Sequence, residues 1–206
     1  MPQMKYTPAE ASALTNLPIR TVRRLMDRRF IRPRRLRTGR SVQRLLSWEQ
    51  LVYLRLEAEG LSLLPVPARR KIAKQIESDV GIDVVTISEG CALVVQVKTV
   101  RKELDESLKK LKRAESLIVE DPETMRGTPV YRGTRVPVDL VADMLDQGAT
   151  IEEIIEGYPA LNREQVELAP LYLRAFPRRG RPASRPWAKR KAVRTTRHRR
   201  DMARPT

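Results

Sequence analysis

Apolar residues in the first third of the chain recur at helical spacing, and punctuation residues divide them into short segments. Thr7-Pro8-Ala9-Glu10 supplies a capping hydroxyl, a proline suited to the first helical position and a carboxylate that closes a capping box. Ala9, Ala13 and Leu14 then give a short helix one apolar side. Asn16-Leu17 reads as a turn and Pro18 opens a second helix. There Ile19, Val22, Leu25 and Met26 point inward, leaving Arg20, Thr21, Arg23, Arg24 and Arg28 outward. Residues 31–40 form a basic loop that turns at Gly39 and carries Arg34, Arg35, Arg37 and Arg40. Val42, Leu45 and Leu46 follow. Ser47-Trp48-Glu49-Gln50 is a second capping box, ahead of a helix bearing Leu51, Leu54 and Leu56. Helix, turn, helix, basic hairpin, helix is the order of a winged helix.

Further on the period changes. The β-branched run 82–87 reads as a strand, residues 88–90 as a turn, and 92–97 as the partner strand. A two-stranded hairpin is marginal alone and is expected to pack on a helix or pair across a dimer. Residues 101–115 read as a helix whose narrow apolar stripe is Leu104, Leu108 and Leu111. This stripe is the candidate dimerisation seam, with intramolecular packing as its equal alternative. The Gly- and Pro-rich span 121–138 predicts a fixed, turn-rich loop. Three short helices are predicted after it: about 138–147 ending at Gly148, then 151–157 capped by Thr150, then one following Asn162. The fold class expected is α+β, mainly α. Four segments are expected: a DNA-binding head over 1–75, a hairpin-and-helix linker or dimerisation unit over 76–119, a three-helix unit over 120–176, and a tail over 177–206.

Charge sharpens this division. The formal net charge of +16 splits into +12 for residues 1–75, −7 for 76–176 and +11 for 177–206. Opposite signs favour different partners, so the chain reads as a modular adaptor for more than one polyanionic partner. In the head, 17 basic residues accompany only 5 acidic ones, which suits nucleic acid better than a solvated mixed surface. The tail has four Pro, one Gly and almost no apolar periodicity, so it is expected to be disordered in isolation. Trp187 is its one large apolar side chain.

Candidate catalytic chemistry is sparse. Cys91 is the sole cysteine and sits in an apolar run, where a buried reduced thiol is the plain reading. His198 is the sole histidine, so a zinc site or a Cys–His dyad is not expected. No Gly-rich phosphate loop occurs, and no cofactor, metal or enzymatic role is expected. No run of about 18 apolar residues occurs and the N-terminus lacks a secretion signal, so a cytoplasmic protein without a membrane partner is expected.

Two stretches carry family resemblances. Residues 5–60, including the step from hairpin to a Leu-Leu-Ser-x-Glu helix start, resemble the DNA-binding domain of the MerR family. Pro65 and Pro67 then stand where that family continues into a long helix. Asp121, Pro122, Gly127, Pro129, Arg132, Gly133, Thr134, Arg135, Pro137 and Val138 resemble the signature of an antitoxin-type domain, domain-of-unknown-function family 433. The resemblance continues through Ile151–Ile155 and Tyr158-Pro159, with Arg126 and Thr128 departing from the usual Gly and Lys. It implies a compact, homeodomain-like helical fold and a VapB-like antitoxin of a type II toxin–antitoxin pair, whose partner is a PIN-like (VapC-type), metal-dependent ribonuclease.

The function expected from these readings is an antitoxin that neutralises such a ribonuclease and represses its own operon. A homodimer would bind operator DNA and form a hetero-oligomer with the toxin. Arg20, Thr21, Arg23, Arg24, Arg28, Arg34, Arg35, Arg37 and Arg40 are the candidate DNA contacts. Arg178, Arg179, Arg181, Arg185, Trp187, Arg190 and Lys191 are the candidate toxin contacts, an Arg being able to enter a carboxylate-lined metal pocket. A generic nucleic-acid-binding tail is the alternative there. For the whole chain, the rivals are a stand-alone MerR-like regulator and a nucleic-acid-processing enzyme using the acidic middle.

Overall fold

The computed structural model describes residues 5–38, 41–88, 92–121 and 127–177. Among them are eight α-helices and three two-stranded antiparallel sheets. In chain order they are α1 (Pro8–Thr15), α2 (Ile19–Asp27), the hairpin β1 (Arg34–Thr38) and β2 (Ser41–Leu45), and α3 (Trp48–Ala58). A single 3-10 turn, Leu61–Leu63, leads to α4 (Val66–Ser78), the hairpin β3 (Val84–Ser88) and β4 (Ala92–Gln96), and α5 (Val97–Leu117). The two-residue strands β5 (Ile118–Val119) and β6 (Val130–Tyr131) precede α6 (Val138–Asp146), α7 (Ile151–Gly157) and α8 (Arg163–Ala175). The mainly helical α+β class holds.

Helix α3 is the centre of the first core. Leu51, Val52, Tyr53 and Leu54 are consecutive and each fully buried, and four positions span a helical turn, so α3 is enclosed on every side. It also buries Glu49 and Glu57. Each carboxylate meets a guanidinium from another helix. Arg69 of α4 donates from Nε and Nη2 to the two Glu57 oxygens, both at 2.8 Å. Arg101 of α5 donates from Nη1 and Nη2 to Glu49, at 3.0 and 2.7 Å. The Tyr53 hydroxyl donates to Glu57, and burial together with that bond pushes the phenol above its usual range. Arg69 also lies over the Phe30 ring, 4.3 Å from its centroid.

A second core gathers Ala114 and Ile118 from the end of α5 and β5, Tyr131 from β6, and the inner faces of α6, α7 and α8. Gly148, at φ +91°, ends α6 in the left-handed region that glycine enters at little cost. Thr150 and Asn162 cap α7 and α8 through complete capping boxes with Glu153 and Gln165. Two helices join the cores. Helix α5, 21 residues or about 32 Å long, sends Leu104 and Leu111 into the first and Ala114 into the second. Helix α8 sends Val166 and Ala169 into the second, and Leu171 and Ala175 into the first, with Pro170 between them.

Three expectations change. The boundary at residue 75 is no break in packing, because Val97, Val100, Leu104, Leu111 and Ala175 complete the core that Tyr6, Leu14 and Val22 begin. The stripe proposed as a dimer seam is filled from within the monomer: Leu104 and Leu111 are buried and Leu108 packs against the same core. Finally, the 121–138 loop contains a strand pairing, with Ile118 opposite Tyr131 and Val119 opposite Val130.

Two outcomes test this arrangement. Leu104→Ala lowers stability by about 2–5 kcal/mol in urea denaturation, and Leu104→Lys unfolds the chain instead of dissociating a dimer. Arg69→Ala strands a buried carboxylate and costs about 3–5 kcal/mol, whereas Glu57→Leu combined with Arg69→Met restores most of the loss.

Candidate nucleic-acid interface

The capping box of Thr7 and Glu10 starts α1, with the Glu10 carboxylate accepting from the Thr7 N–H at 2.7 Å. Asn16 ends the helix in the left-handed region, φ 58°, which asparagine tolerates better than most residues. The Ser12 hydroxyl donates to the Leu17 carbonyl at 2.6 Å and tightens the turn. Pro18 then precedes α2, its carbonyl accepting from the Thr21 and Val22 N–H groups. Val22, Leu25 and Met26 are buried beneath α2.

The opposite face of α2 carries Arg20, Arg23 and Arg24, all exposed, with Thr21 half-buried and held by Arg24 Nη2 at 3.3 Å. Arg28 caps the helix and is exposed. Arg29 follows at φ 58°, a conformation that costs a residue with a Cβ about 1 kcal/mol. The Phe30 N–H returns to the Leu25 carbonyl at 3.0 Å, which fixes where the chain leaves α2.

Hairpin β1–β2 stands beside this helix. Tyr6 and Leu46 exchange two backbone hydrogen bonds at its base, and Asp27 of α2 pairs with Arg44 of β2 at 2.7 Å. In the ladder Arg35 faces Arg44 and Arg37 faces Val42, so these four side chains share one face. Like charges directly opposite are destabilising, and Asp27 is the only anion ion-paired to that pair among the described residues. An open groove of about 540 Å³ lies between the end of α2 and the hairpin base, lined by Arg29, Arg32, Arg35 and Arg44 together with Asp27.

Of the candidate DNA contacts, the structure brings Arg20, Thr21, Arg23, Arg24, Arg28, Arg34, Arg35 and Arg37 onto α2 and the adjoining hairpin, and Arg40 lies outside the described residues. Arg20, Arg23, Arg28, Arg29, Arg32, Arg34, Arg35 and Arg37 are exposed and form no ion pair with any acidic side chain among the described residues. Arg29, Arg32 and Arg44 were not singled out from the sequence. Arg44 could have been found by alternation from Val42, but the groove that gathers all three exists only once α2 and the hairpin meet.

The signature loop uses its polar groups on its own backbone. The Thr134 hydroxyl donates to the Tyr131 carbonyl at 2.9 Å and accepts from the Val136 N–H at 3.1 Å. Gly133, at φ +76°, permits that turn. The Arg132 N–H and Nε reach the Leu117 and Ser116 carbonyls. The buried Tyr131 hydroxyl donates to the Gln165 carbonyl at 3.1 Å. Here the signature joins the end of α5 to α8. Arg178, Arg179, Arg181, Arg185, Trp187, Arg190 and Lys191 lie outside the described residues, as does Cys91.

Arg29→Gly separates stability from binding. It removes the left-handed strain and raises stability by up to about 1 kcal/mol in urea denaturation, while lowering affinity for a polyanion.

Comparison with known proteins gives three partial similarities. The X-ray crystal structure of Rv2018 from Mycobacterium tuberculosis aligns with 80% of this chain and 96% of that one, at 20% identity and a TM-score of 0.33. The uncharacterized protein y4eO of Sinorhizobium fredii is 37% identical over 89 residues, 43% of this chain. The chain spans 40% of the length of that relative. Residues 118–173, from β5 to the body of α8, match the family described as protein of unknown function (DUF433).

Proposed function

We propose that this chain is a cytoplasmic DNA-binding repressor of the antitoxin type. The segment from α1 to α3 acts as a winged helix-turn-helix in which α2 enters the major groove and hairpin β1–β2 lies along the phosphates. The part related to domain-of-unknown-function family 433 engages a PIN-like ribonuclease, and the chain itself is not an enzyme. The observation that carries the DNA reading is the set of exposed arginines on α2 and the hairpin that lack acidic partners among the described residues. A surface selected only for solubility mixes signs, whereas one that neutralises phosphates is poor in carboxylates. Arginine also pairs bidentately with guanine edges, so the outer face of α2 is equipped to read sequence.

Paired half-sites call for a dimer. With Leu104 and Leu111 inside the monomer, that contact falls to the outer face of hairpin β3–β4, where Val84 and Val94 are exposed. A second reading, a MerR-like regulator without a toxin, is favoured by one observation. Helix α8 packs on α1 and α5, which suits a C-terminal domain that acts directly on the head.

Titrating the full-length protein onto a duplex from its own promoter, and onto a scrambled duplex, tests the DNA reading. Arg23→Ala costs about 1–3 kcal/mol on the promoter and narrows the difference between the two. Arg37→Ala weakens both alike and flattens the salt dependence by about one unit of slope. Equal affinity of the wild-type chain for both duplexes overturns sequence reading by the head. Co-purification with a PIN-like ribonuclease, and inhibition of its RNA cleavage, separates the antitoxin from the stand-alone regulator.

A further inference from the structure

The groove between the end of α2 and the base of hairpin β1–β2 is lined by four arginines and one carboxylate, so its charged walls carry a formal +3. Arg29, Arg32 and Arg35 form no ion pair among the described residues, and Arg44 meets the Asp27 carboxylate at 2.7 Å. Met26, Ile31 and Pro33 complete the lining with carbon surface. The volume of about 540 Å³ lies within the range of about 300–1,000 Å³ typical of small-molecule sites.

The backbone that presents these arginines is fixed before any ligand arrives. Phe30 and Ile31, between Arg29 and Arg32, are both buried, and the Arg69 guanidinium lies over the Phe30 ring. The Arg32 carbonyl accepts from Gln50 Nε2 of α3 at 3.0 Å. Arg35 and Arg44 stand directly opposite each other in the hairpin ladder. Arg29 keeps its left-handed φ of 58°, and strain of this kind collects at ligand clamps. Free carbonyls at the C-terminal end of α2 would repel an anion. Those of Arg24, Leu25 and Met26 are taken by the N–H groups of Arg28, Phe30 and Arg29. Like charges held this way are unfavourable without a counter-ion, and Asp27 is the one carboxylate in the lining. It therefore stands in for an anionic ligand, but with a single charge paired to one guanidinium of four. A phosphate monoester carries about two charges near neutral pH and three acceptor oxygens, so it can engage several guanidiniums at once.

We infer that this groove binds a free phosphate-bearing anion of the phosphomonoester or diphosphate class, which takes Arg44 from Asp27 and pairs with Arg29, Arg32 and Arg35. A phosphodiester of the DNA backbone offers the same chemistry with one charge, and leaves more of the +3 unmet. The free ligand occupies Arg35, a candidate DNA contact, and so competes with the duplex for the head. Binding of the anion stands apart from the DNA reading, whereas the competition rests on it.

The test titrates pyrophosphate into the full-length protein by calorimetry at fixed ionic strength. Four forms are compared: wild type, Arg32→Gln with Arg44→Gln, Asp27→Asn, and Arg20→Ala with Arg23→Ala. The wild type is expected to bind with a Kd of about 1 mM or tighter. The groove double variant binds at least ~10-fold more weakly, and the α2 variant binds as the wild type does. Asp27→Asn tightens binding by about 2–5-fold, a gain that a damaged fold does not produce. No binding by the wild type overturns the inference. Equal binding by the wild type and the groove variant also overturns it, and gives the phosphate to other cations of the chain. No gain in Asp27→Asn overturns the exchange at Arg44. A second arm measures affinity for the promoter duplex with and without saturating pyrophosphate. Pyrophosphate is expected to weaken the wild type at least ~3-fold and to leave the groove variant unchanged. Weaker duplex binding by the groove variant, with no pyrophosphate binding by the wild type, assigns the groove to the DNA backbone and overturns the free ligand. Duplex affinity indifferent to bound pyrophosphate overturns the competition. If the wild-type chain binds no duplex, the reading of the head and the competition both fall, and the calorimetry alone decides the site.

Discussion

A helix buried on all sides cannot normally carry charge, because each unpaired carboxylate taken from water costs several kcal/mol. Helix α3 buries two. The rest of the architecture follows from how they are met. Glu57 and Glu49 lie eight residues apart, about 12 Å along the helix, and each takes a two-pronged guanidinium from a different element, Arg69 of α4 and Arg101 of α5. Apolar contact alone would let α4 and α5 slide by a turn with little loss. Bidentate pairs tolerate no such slip. Arg69 carries the constraint onward, since its stack on Phe30 fixes the segment through which α2 passes to hairpin β1–β2. The relation between α2 and hairpin β1–β2 is thus set partly by the charge pair of Arg69 and Glu57.

What was legible in the chain was mostly local. Capping boxes at Thr7, Ser47 and Thr150, and Asn162 ahead of α8, marked helix starts to within a residue, because the signal and the structure it makes lie within one turn. Both hairpins were likewise readable from β-branched or basic alternation about a turn. Helix α4 is not predicted from the sequence, where Pro65 and Pro67 stand at the point at which a MerR-like chain continues into a long helix. At the N-cap and second helical positions they lack only N–H groups that have no intrahelical acceptor, and Ile72, Ala73 and Ile76 carry the helical stripe beyond them. The pairing of Val130 and Tyr131 with Ile118 and Val119 is too short to show any period.

Partner choice is the part that no local pattern encodes. The spacing of Leu104, Leu108 and Leu111 identifies an apolar edge correctly, but the same spacing serves a neighbour in the same chain or in another. The grouping of Arg29, Arg32 and Arg44 arises from the meeting of two elements distant in sequence. The candidate interface was therefore half visible: its basic residues could be read along α2 and the hairpin, and the groove between them could not.

The meeting of α1 and α8 also bears on how long a molecule of this protein survives. Residues near the two ends of the described fold share one core, so a cut that releases α8 strips Leu171 and Ala175 from against the head as well. Proteolysis at the C-terminal side would therefore destabilise the first core along with the second. Clearance would then proceed molecule by molecule, with both cores lost together and no stable half of the fold left behind.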